Sequence, residues 1–183
     1  MNPTIRRYLF VPIFLFLIAL TFGQELIPVA QVVEVSSFSK DALFERSHAW
    51  AIDLCMSKEF ELQQTDKELG YCYVTGSIHY EASEIVNNNH RISGPIYFKL
   101  KIYIREGRFK YVFYDFFHEG GDIGNELSYG LLCEGDELIN PSMKRPNMGV
   151  WVDIQHAARS GAWEIIDELT SAILSPTEFE KDW

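Results

Sequence analysis

The sequence predicts an α+β fold, in which helices cover one face of an antiparallel β-sheet. The first observation behind this prediction is a run of alternating apolar residues over 96–104, which resumes over 109–113. The two runs are separated by Glu106-Gly107, and this combination is among the strongest short-range signals for a β-hairpin. The second observation is an apolar pattern at helical spacing before the hairpin and again near the carboxyl terminus. The hairpin is therefore expected to form the centre of the sheet.

The remaining elements follow from the same two periodicities. In chain order they are a strand over 32–38, a helix over 40–57, strands over 60–64 and 71–80, and a helix over 151–173. Ser39 is the predicted N-cap of the first helix, because its hydroxyl can accept a hydrogen bond from an unpaired backbone N–H. Small residues around Gly161 are expected to let the last helix approach the sheet closely.

Polar or glycine-rich stretches connect these elements. Residues 83–94 predict a loop, and the periodicity dissolves over 118–149, where half of the 12 glycines lie. Leu131 and Leu132 predict one short strand or turn there. Long irregular loops are usually functional or disordered, and the sequence leaves that choice open.

The amino terminus predicts a signal peptide over residues 1–23. Arg6 and Arg7 precede an apolar run over 8–20, and Thr21 and Gly23 supply the small residues that a signal peptidase recognises. The alternative is an uncleaved membrane anchor, but the run is shorter than the roughly 20 residues that a spanning helix needs. We therefore expect an exported protein with no membrane span after cleavage.

Length and charge bound the function further. Residues 24–176 are predicted to form a single domain, with a flexible tail over 177–183. The formal net charge is −10 at pH 7, and loss of Arg6 and Arg7 with the signal makes the remainder more negative by two. Nucleic-acid phosphates repel such a chain, so no nucleic-acid partner is expected.

The hairpin predicts a candidate binding surface on the face opposite its apolar stripe. With a two-residue turn, the cross-strand pairs on this face are Arg105–Arg108, Tyr103–Lys110, Lys101–Val112, Lys99–Tyr114 and Tyr97–Phe116. The candidate site consists of Tyr97, Lys99, Lys101, Tyr103, Lys110, Tyr114 and Phe116. Aromatic rings and cations together suit an anionic or glycan-like ligand or a partner protein. The alternative is an ordinary solvated face, stabilised by Tyr–Lys pairs.

A second candidate site lies where the hairpin ends, at Asp115, His118 and Glu119. Asp115 falls on the apolar face if the pairing is regular, so a bulge or a buried hydrogen bond is expected there. A carboxylate beside an imidazole could orient a general base, which makes a hydrolase or a metal-dependent enzyme the alternative function. No second histidine or nucleophile elbow accompanies these residues. We therefore favour a non-enzymatic module with no cofactor and no metal.

The three cysteines permit two interpretations. Export allows one disulfide, for which Cys55 and Cys72 are the candidates because both are predicted to face the core. Buried free thiols that pack as small apolar residues are the alternative. The sequence has no C-x-x-C pair, so the cysteines do not predict a zinc site.

Several motifs resemble a large uncharacterised family of bacterial exported proteins, a domain of unknown function with a TATA-binding-protein-like (TBP-like) fold. They are V-x-E-V followed by S-K-D-x-L ending at Leu43, D-K-E-x-G over 66–70, K-I-Y-I-R-E-G-R-F-K-Y over 101–111, and D-F-x-H over 115–118. The resemblance covers about 31–118 well and the last helix loosely.

This resemblance implies a curved antiparallel sheet with an amino-terminal and a carboxyl-terminal helix packed on one face. It implies no established activity, and it implies export to the periplasm or outer membrane of a Gram-negative bacterium. Fold likeness does not bring DNA binding with it. The expected function is a binding or interaction module of the periplasm or cell envelope, with an envelope protein or an anionic or glycan ligand as its partner.

Overall fold

The computed structural model describes residues 29–57, 59–121, 127–134 and 147–175. The signal peptide predicted over 1–23 and the tail predicted over 177–183 lie outside this part of the chain. The described elements are β1 (Val29–Glu34), α1 (Lys40–Ser57), β2 (Phe60–Asp66), β3 (Tyr71–Tyr80), α2 (Asn89–Ile92), β4 (Gly94–Arg105), β5 (Arg108–His118), β6 (Gly130–Leu131) and α3 (Met148–Leu174). None of the helices described here is both long and apolar enough to cross a bilayer.

One antiparallel sheet organises the fold, as the sequence predicts. The strand order is β1-β5-β4-β3-β2, and the short β6 pairs with β5 beyond the end of β1. The hairpin of β4 and β5 therefore lies at the centre, and β1, the first strand in sequence, forms one edge. This arrangement confirms the predicted α+β fold.

Both long helices pack on the same face of the sheet. The apolar stripe of β4 and the alternate residues of β3 and β5 are buried there together with residues of α1 and α3. Gly161 lies so close to β3 that an added Cβ would stand 2.7 Å from the side chain of Ile78. A larger residue there would require the Ile78 side chain or α3 to shift, which agrees with the predicted role of small residues in this helix.

The turn of the central hairpin is tied to the start of α1. The Glu106 carboxylate accepts a hydrogen bond from the backbone N–H of Lys40 at 2.8 Å, and the Gly107 carbonyl accepts one from Val35 at 2.8 Å. Gly107 has φ 66°, a left-handed conformation that glycine adopts without strain. Ser39 acts as the predicted N-cap, because its hydroxyl accepts a hydrogen bond from the Ala42 backbone at 3.2 Å.

The contacts of this turn explain one difference from the predicted elements. The first strand was expected over 32–38, but β1 ends at Glu34. Beyond it, the Val35 N–H and the Phe38 carbonyl bind Gly107 at the hairpin turn, so the chain bends toward α1. The loop predicted over 83–94 also contains a single helical turn, α2.

A β-bulge in β5 changes which residues face the core. The predicted pairs from Arg105–Arg108 to Lys99–Tyr114 are confirmed, but the predicted Tyr97–Phe116 pair is wrong, because Tyr97 lies opposite Phe117. Two residues, Asp115 and Phe116, lie opposite Phe98, which is the signature of a bulge. Asp115 has φ 55° at this point. A bulge was one of the two arrangements expected at Asp115, and it reverses the alternation for the rest of the strand.

The bulge predicts opposite outcomes for two neighbouring phenylalanines. Phe116 is buried and Phe117 is exposed, so Phe116→Ala should lower the free energy of unfolding by about 3–5 kcal/mol. Phe117→Ala serves as the matched control and should change it by no more than about 0.5 kcal/mol. Urea unfolding of both variants measures the difference. Equal losses, or a larger loss for Phe117→Ala, would contradict the register described above.

Candidate binding groove on the outer sheet face

The face of the sheet turned away from α1 and α3, here called the outer face, carries most of the predicted binding residues. Its described side chains are half-buried or exposed rather than covered; Tyr97 and Tyr103, for example, are 44% and 42% exposed. Six of the seven predicted residues lie on it: Tyr97, Lys99, Lys101, Tyr103, Lys110 and Tyr114. The prediction for Phe116 is wrong, because the bulge directs this side chain into the core, and Phe117 takes its place.

Lysines and tyrosines contact each other across the strands of the outer face. The Lys101 ammonium lies 4.9 Å from the ring centre of Tyr114 and 5.6 Å from that of Tyr73, within cation–π range. A hydrogen bond with Tyr114 raises the pKa of Lys101. Register explains the contact with Tyr73, because it lies directly opposite Lys101 on β3. These contacts hold the flexible lysine side chains in defined positions.

The bulge also places a carboxylate on the outer face. Asp115 Oδ2 lies 2.8 Å from Lys99 Nζ, and this hydrogen bond raises the pKa of Lys99. An aspartate in regular pairing would point into the core, where an unpaired charge is costly. The extra residue in β5 therefore avoids a buried, unpaired carboxylate and places Asp115 on the outer face instead.

A groove of about 850 Å³ crosses the outer face at the bulged end of the sheet. The aromatic rings of Tyr97 and Phe117 contribute apolar surface, and Thr75 and Ser77 contribute hydroxyl groups. Its full lining is Glu59, Phe60, Glu61, Thr75, Gly76, Ser77, Tyr97, Phe98, Lys99, Asp115, Phe117 and Leu131. The groove thus runs from β2 to β6, and its volume lies within the range of roughly 300–1,000 Å³ typical of ligand sites.

Charge is unevenly distributed over the outer face. The hairpin alone predicts a basic surface, but Glu59, Glu61 and Asp115 also line the groove, where Lys99 is the one basic residue of the lining. The other cations of the hairpin lie beyond the groove, toward the Glu106-Gly107 turn. The groove is therefore mixed in charge and rich in hydrogen-bonding groups.

The predicted catalytic constellation is not assembled. His118 is buried on the core side, whereas Asp115 faces Lys99 on the outer face and the Glu119 carboxylate bonds to Tyr97. The physical reason is the alternation of the strand, which puts residues three positions apart on opposite faces, and the bulge determines that Asp115 faces outward and His118 faces the core. Among the described residues, no three His, Cys, Asp or Glu side chains are grouped to bind a metal ion.

His118 instead has a structural role, because both of its ring nitrogens are hydrogen-bonded to backbone groups. Its Nε2 lies 2.8 Å from the carbonyl oxygen of Ile92, and its Nδ1 accepts a hydrogen bond from the Tyr129 backbone at 3.1 Å. These partners require a neutral ring that carries its proton on Nε2. Burial lowers the pKa of His118 to about 4, although the Ile92 carbonyl opposes this shift.

The candidate disulfide is not formed. Cys55, Cys72 and Cys133 are all free thiols. Cys72 points into the core from β3, and burial raises its pKa to about 11. Burial also raises the pKa of Cys55, while a hydrogen bond with the backbone of Leu62 opposes the shift. Cys55 therefore faces β2 rather than Cys72.

Comparison with known proteins is consistent with this architecture. A curved antiparallel sheet with helices on one face is the TBP-like α+β class, to which the fold belongs. More narrowly, residues 30–119 match a domain of unknown function (DUF4468) with TBP-like fold. The predicted family and fold are thereby confirmed. No curated protein matches the sequence significantly.

Two crystal structures share the fold. A DUF4468 family protein from Bacteroides ovatus superposes with a TM-score of 0.61 at 10% identity, covering 82% of this chain and 88% of the other. A TBP-like protein from Parabacteroides distasonis gives a TM-score of 0.56 at 14% identity, covering 79% of this chain and 92% of the other. At such identities the likeness concerns the fold alone.

The environment of His118 predicts a pH dependence of stability. Its pKa is about 4 in the folded protein and 6.5 in the unfolded chain. The unfolded chain therefore binds more protons between these values, and stability falls as pH falls through this window. His118→Gln keeps a donor and an acceptor but does not titrate. From pH 7 to pH 5, the wild type should lose about 2 kcal/mol more free energy of unfolding than this variant.

Urea unfolding at the two pH values measures that difference. His118→Gln controls for all other titrating groups, because the two proteins differ only at residue 118. Equal losses of free energy of unfolding in the two proteins would contradict the prediction, because His118 would then bind protons as readily in the folded protein as in the unfolded chain.

Proposed function

We propose that this protein is an exported, non-enzymatic binding module of the periplasm or cell envelope of a Gram-negative bacterium, and that it binds a glycan in the groove of the outer face. The observation that carries the proposal is a groove of ligand size on a sheet face that the described helices leave open. The groove combines aromatic rings with hydroxyl and carboxylate groups.

The chemistry of the lining favours a glycan. Sugars present apolar C–H faces that pack on aromatic rings such as Tyr97 and Phe117, and hydroxyls that bond to groups such as Asp115. A strongly anionic ligand would meet three carboxylates here and one lysine. An envelope protein remains the alternative partner, but interfaces between proteins are usually broader than this groove.

Export is supported by the amino-terminal sequence. Arg6 and Arg7 precede the apolar run over 8–20, in the order expected of a signal peptide. Expression of the full-length chain in a Gram-negative host, followed by amino-terminal sequencing of the periplasmic fraction, tests this part of the proposal. A mature chain that begins at Gln24 is expected, and an unprocessed chain in the cytoplasm would contradict export.

Glycan binding is tested by NMR titration of ¹⁵N-labelled protein. The probes are neutral and acidic oligosaccharides, namely cellohexaose, chitohexaose and a galacturonate hexamer. Saturable shifts are expected for amides of residues 97–99 and 114–117 with at least one probe. Tyr97→Ala and Phe117→Ala should each weaken its binding about fivefold to tenfold, because each removes one ring contact.

Trp163→Ala is the matched control, because this aromatic side chain is 47% exposed but lies on α3, away from the groove. It should leave the dissociation constant unchanged. Binding that all three variants retain equally would contradict the groove as the site, and no saturable shift with any probe would contradict a glycan ligand.

A further inference from the structure

The end of the outer face nearest the hairpin turn carries a second cleft, separate from the groove. It has a volume of about 550 Å³, and three cations line it: Arg105, Arg108 and Lys110. Lys101 separates it from the groove along β4. The proposal made below for this cleft is independent of the function proposed for the groove.

The two arginines of this cleft form an unusual pair. Arg105 lies directly opposite Arg108 across the two-residue turn, and both side chains are exposed on the outer face. Like charges in directly opposite positions destabilise an antiparallel pair. The sequence therefore contains an unfavourable pair at the turn end of the two central strands, and such local conflicts tend to mark functional positions.

The carboxylate of the turn does not relieve the repulsion. Glu106 occupies the turn between the arginines, but its carboxylate is hydrogen-bonded to the backbone of Lys40 at the start of α1. Arg108 Nη1 lies 3.8 Å from Glu34 Oε1 in a solvent-exposed pair, and such pairs contribute little. Within the described part of the chain, neither Arg105 nor Lys110 forms an ion pair.

Apolar side chains border these cations. Leu69 is 76% exposed and Val32 is 47% exposed, and both line the cleft beside Tyr103. Gly70 also lines the cleft. The cleft therefore offers guanidinium donors to a charged group and an apolar wall to the body that carries it.

We propose that this hairpin-tip cleft binds an oxyanion of the phosphate type, carried on a ligand with an apolar or sugar body. Two guanidinium groups present planar, paired donors that match the oxygens of a phosphate group. The bound anion replaces the missing carboxylate between Arg105 and Arg108. The phosphate comes from a soluble ester or from a lipid headgroup, and the two sources are separated by experiment.

The test uses three probes at constant ionic strength: inorganic phosphate, glucose 6-phosphate, and phosphatidylglycerol in phosphatidylcholine vesicles. The soluble probes are titrated into ¹⁵N-labelled protein, and the vesicles are tested by co-sedimentation against pure phosphatidylcholine. Saturable binding is expected with either a soluble ester or the anionic vesicles, which identifies the source. Arg105→Gln and Arg108→Gln should each weaken it at least tenfold.

Arg159→Gln is the matched control, because this arginine is similarly exposed but lies on α3 and pairs with Glu134. It should leave binding unchanged. Failure of all three probes, or an equal loss in the control, overturns the proposal. Failure of the oligosaccharide titration has no bearing on it, because the two sites share no lining residue.

Stability without ligand gives an independent readout. Arg105→Gln removes the repulsion and should raise the melting temperature by about 1–3 °C in phosphate-free buffer. Added phosphate should then stabilise the wild type but not the variant. A melting temperature that Arg105→Gln lowers or leaves unchanged contradicts a net repulsion between the two arginines and overturns the proposal.

Discussion

One extra residue in β5 determines which chemical groups the end of the sheet presents on each side. Asp115 and Phe116 together oppose Phe98, so the alternation of the strand reverses beyond them. Phe116 and His118 thereby complete the core, whereas Asp115 and Phe117 reach the groove. Without the bulge, a carboxylate would point into an apolar core and a histidine would lie in solvent. The candidate site and the closure of the core at this end depend on the same local irregularity.

The carboxylate of Glu106 has a comparable influence at the other end of the hairpin. By accepting the hydrogen bond from Lys40, it places a negative charge at the positive end of the α1 dipole. The same contact leaves the arginines on either side of the turn without that carboxylate. The outer face is divided as a result: hydrogen-bonding groups of mixed charge gather at the bulge, and cations gather at the turn.

Much of this structure could be predicted from periodicity alone. The bounds of α1 and β3 and the hairpin register as far as Lys99–Tyr114 follow from local patterns. The position of Asp115 within an apolar stripe indicates an irregularity, but its sequence does not show whether the side chain turns outward or is paired inside. The contributions of Glu61 and Leu131 to the groove could not be predicted, because they come from strands that only the assembled sheet brings beside the hairpin. The end of β1 was likewise set by a distant partner, Gly107, rather than by its own residues.

The edge position of β1 also constrains the order in which the chain can fold. Its partner strand lies far along the sequence: the Tyr111 hydroxyl bonds to Gln31, 80 positions earlier, and the Glu106 carboxylate reaches back 66 positions to the start of α1. Closing such long loops costs more entropy than forming the adjacent strands of the hairpin. We therefore expect the hairpin to form first and the amino-terminal quarter of the chain to join it late. When a ribosome has released only that quarter, neither the partner strand of β1 nor the Glu106 carboxylate that contacts the start of α1 has been synthesised.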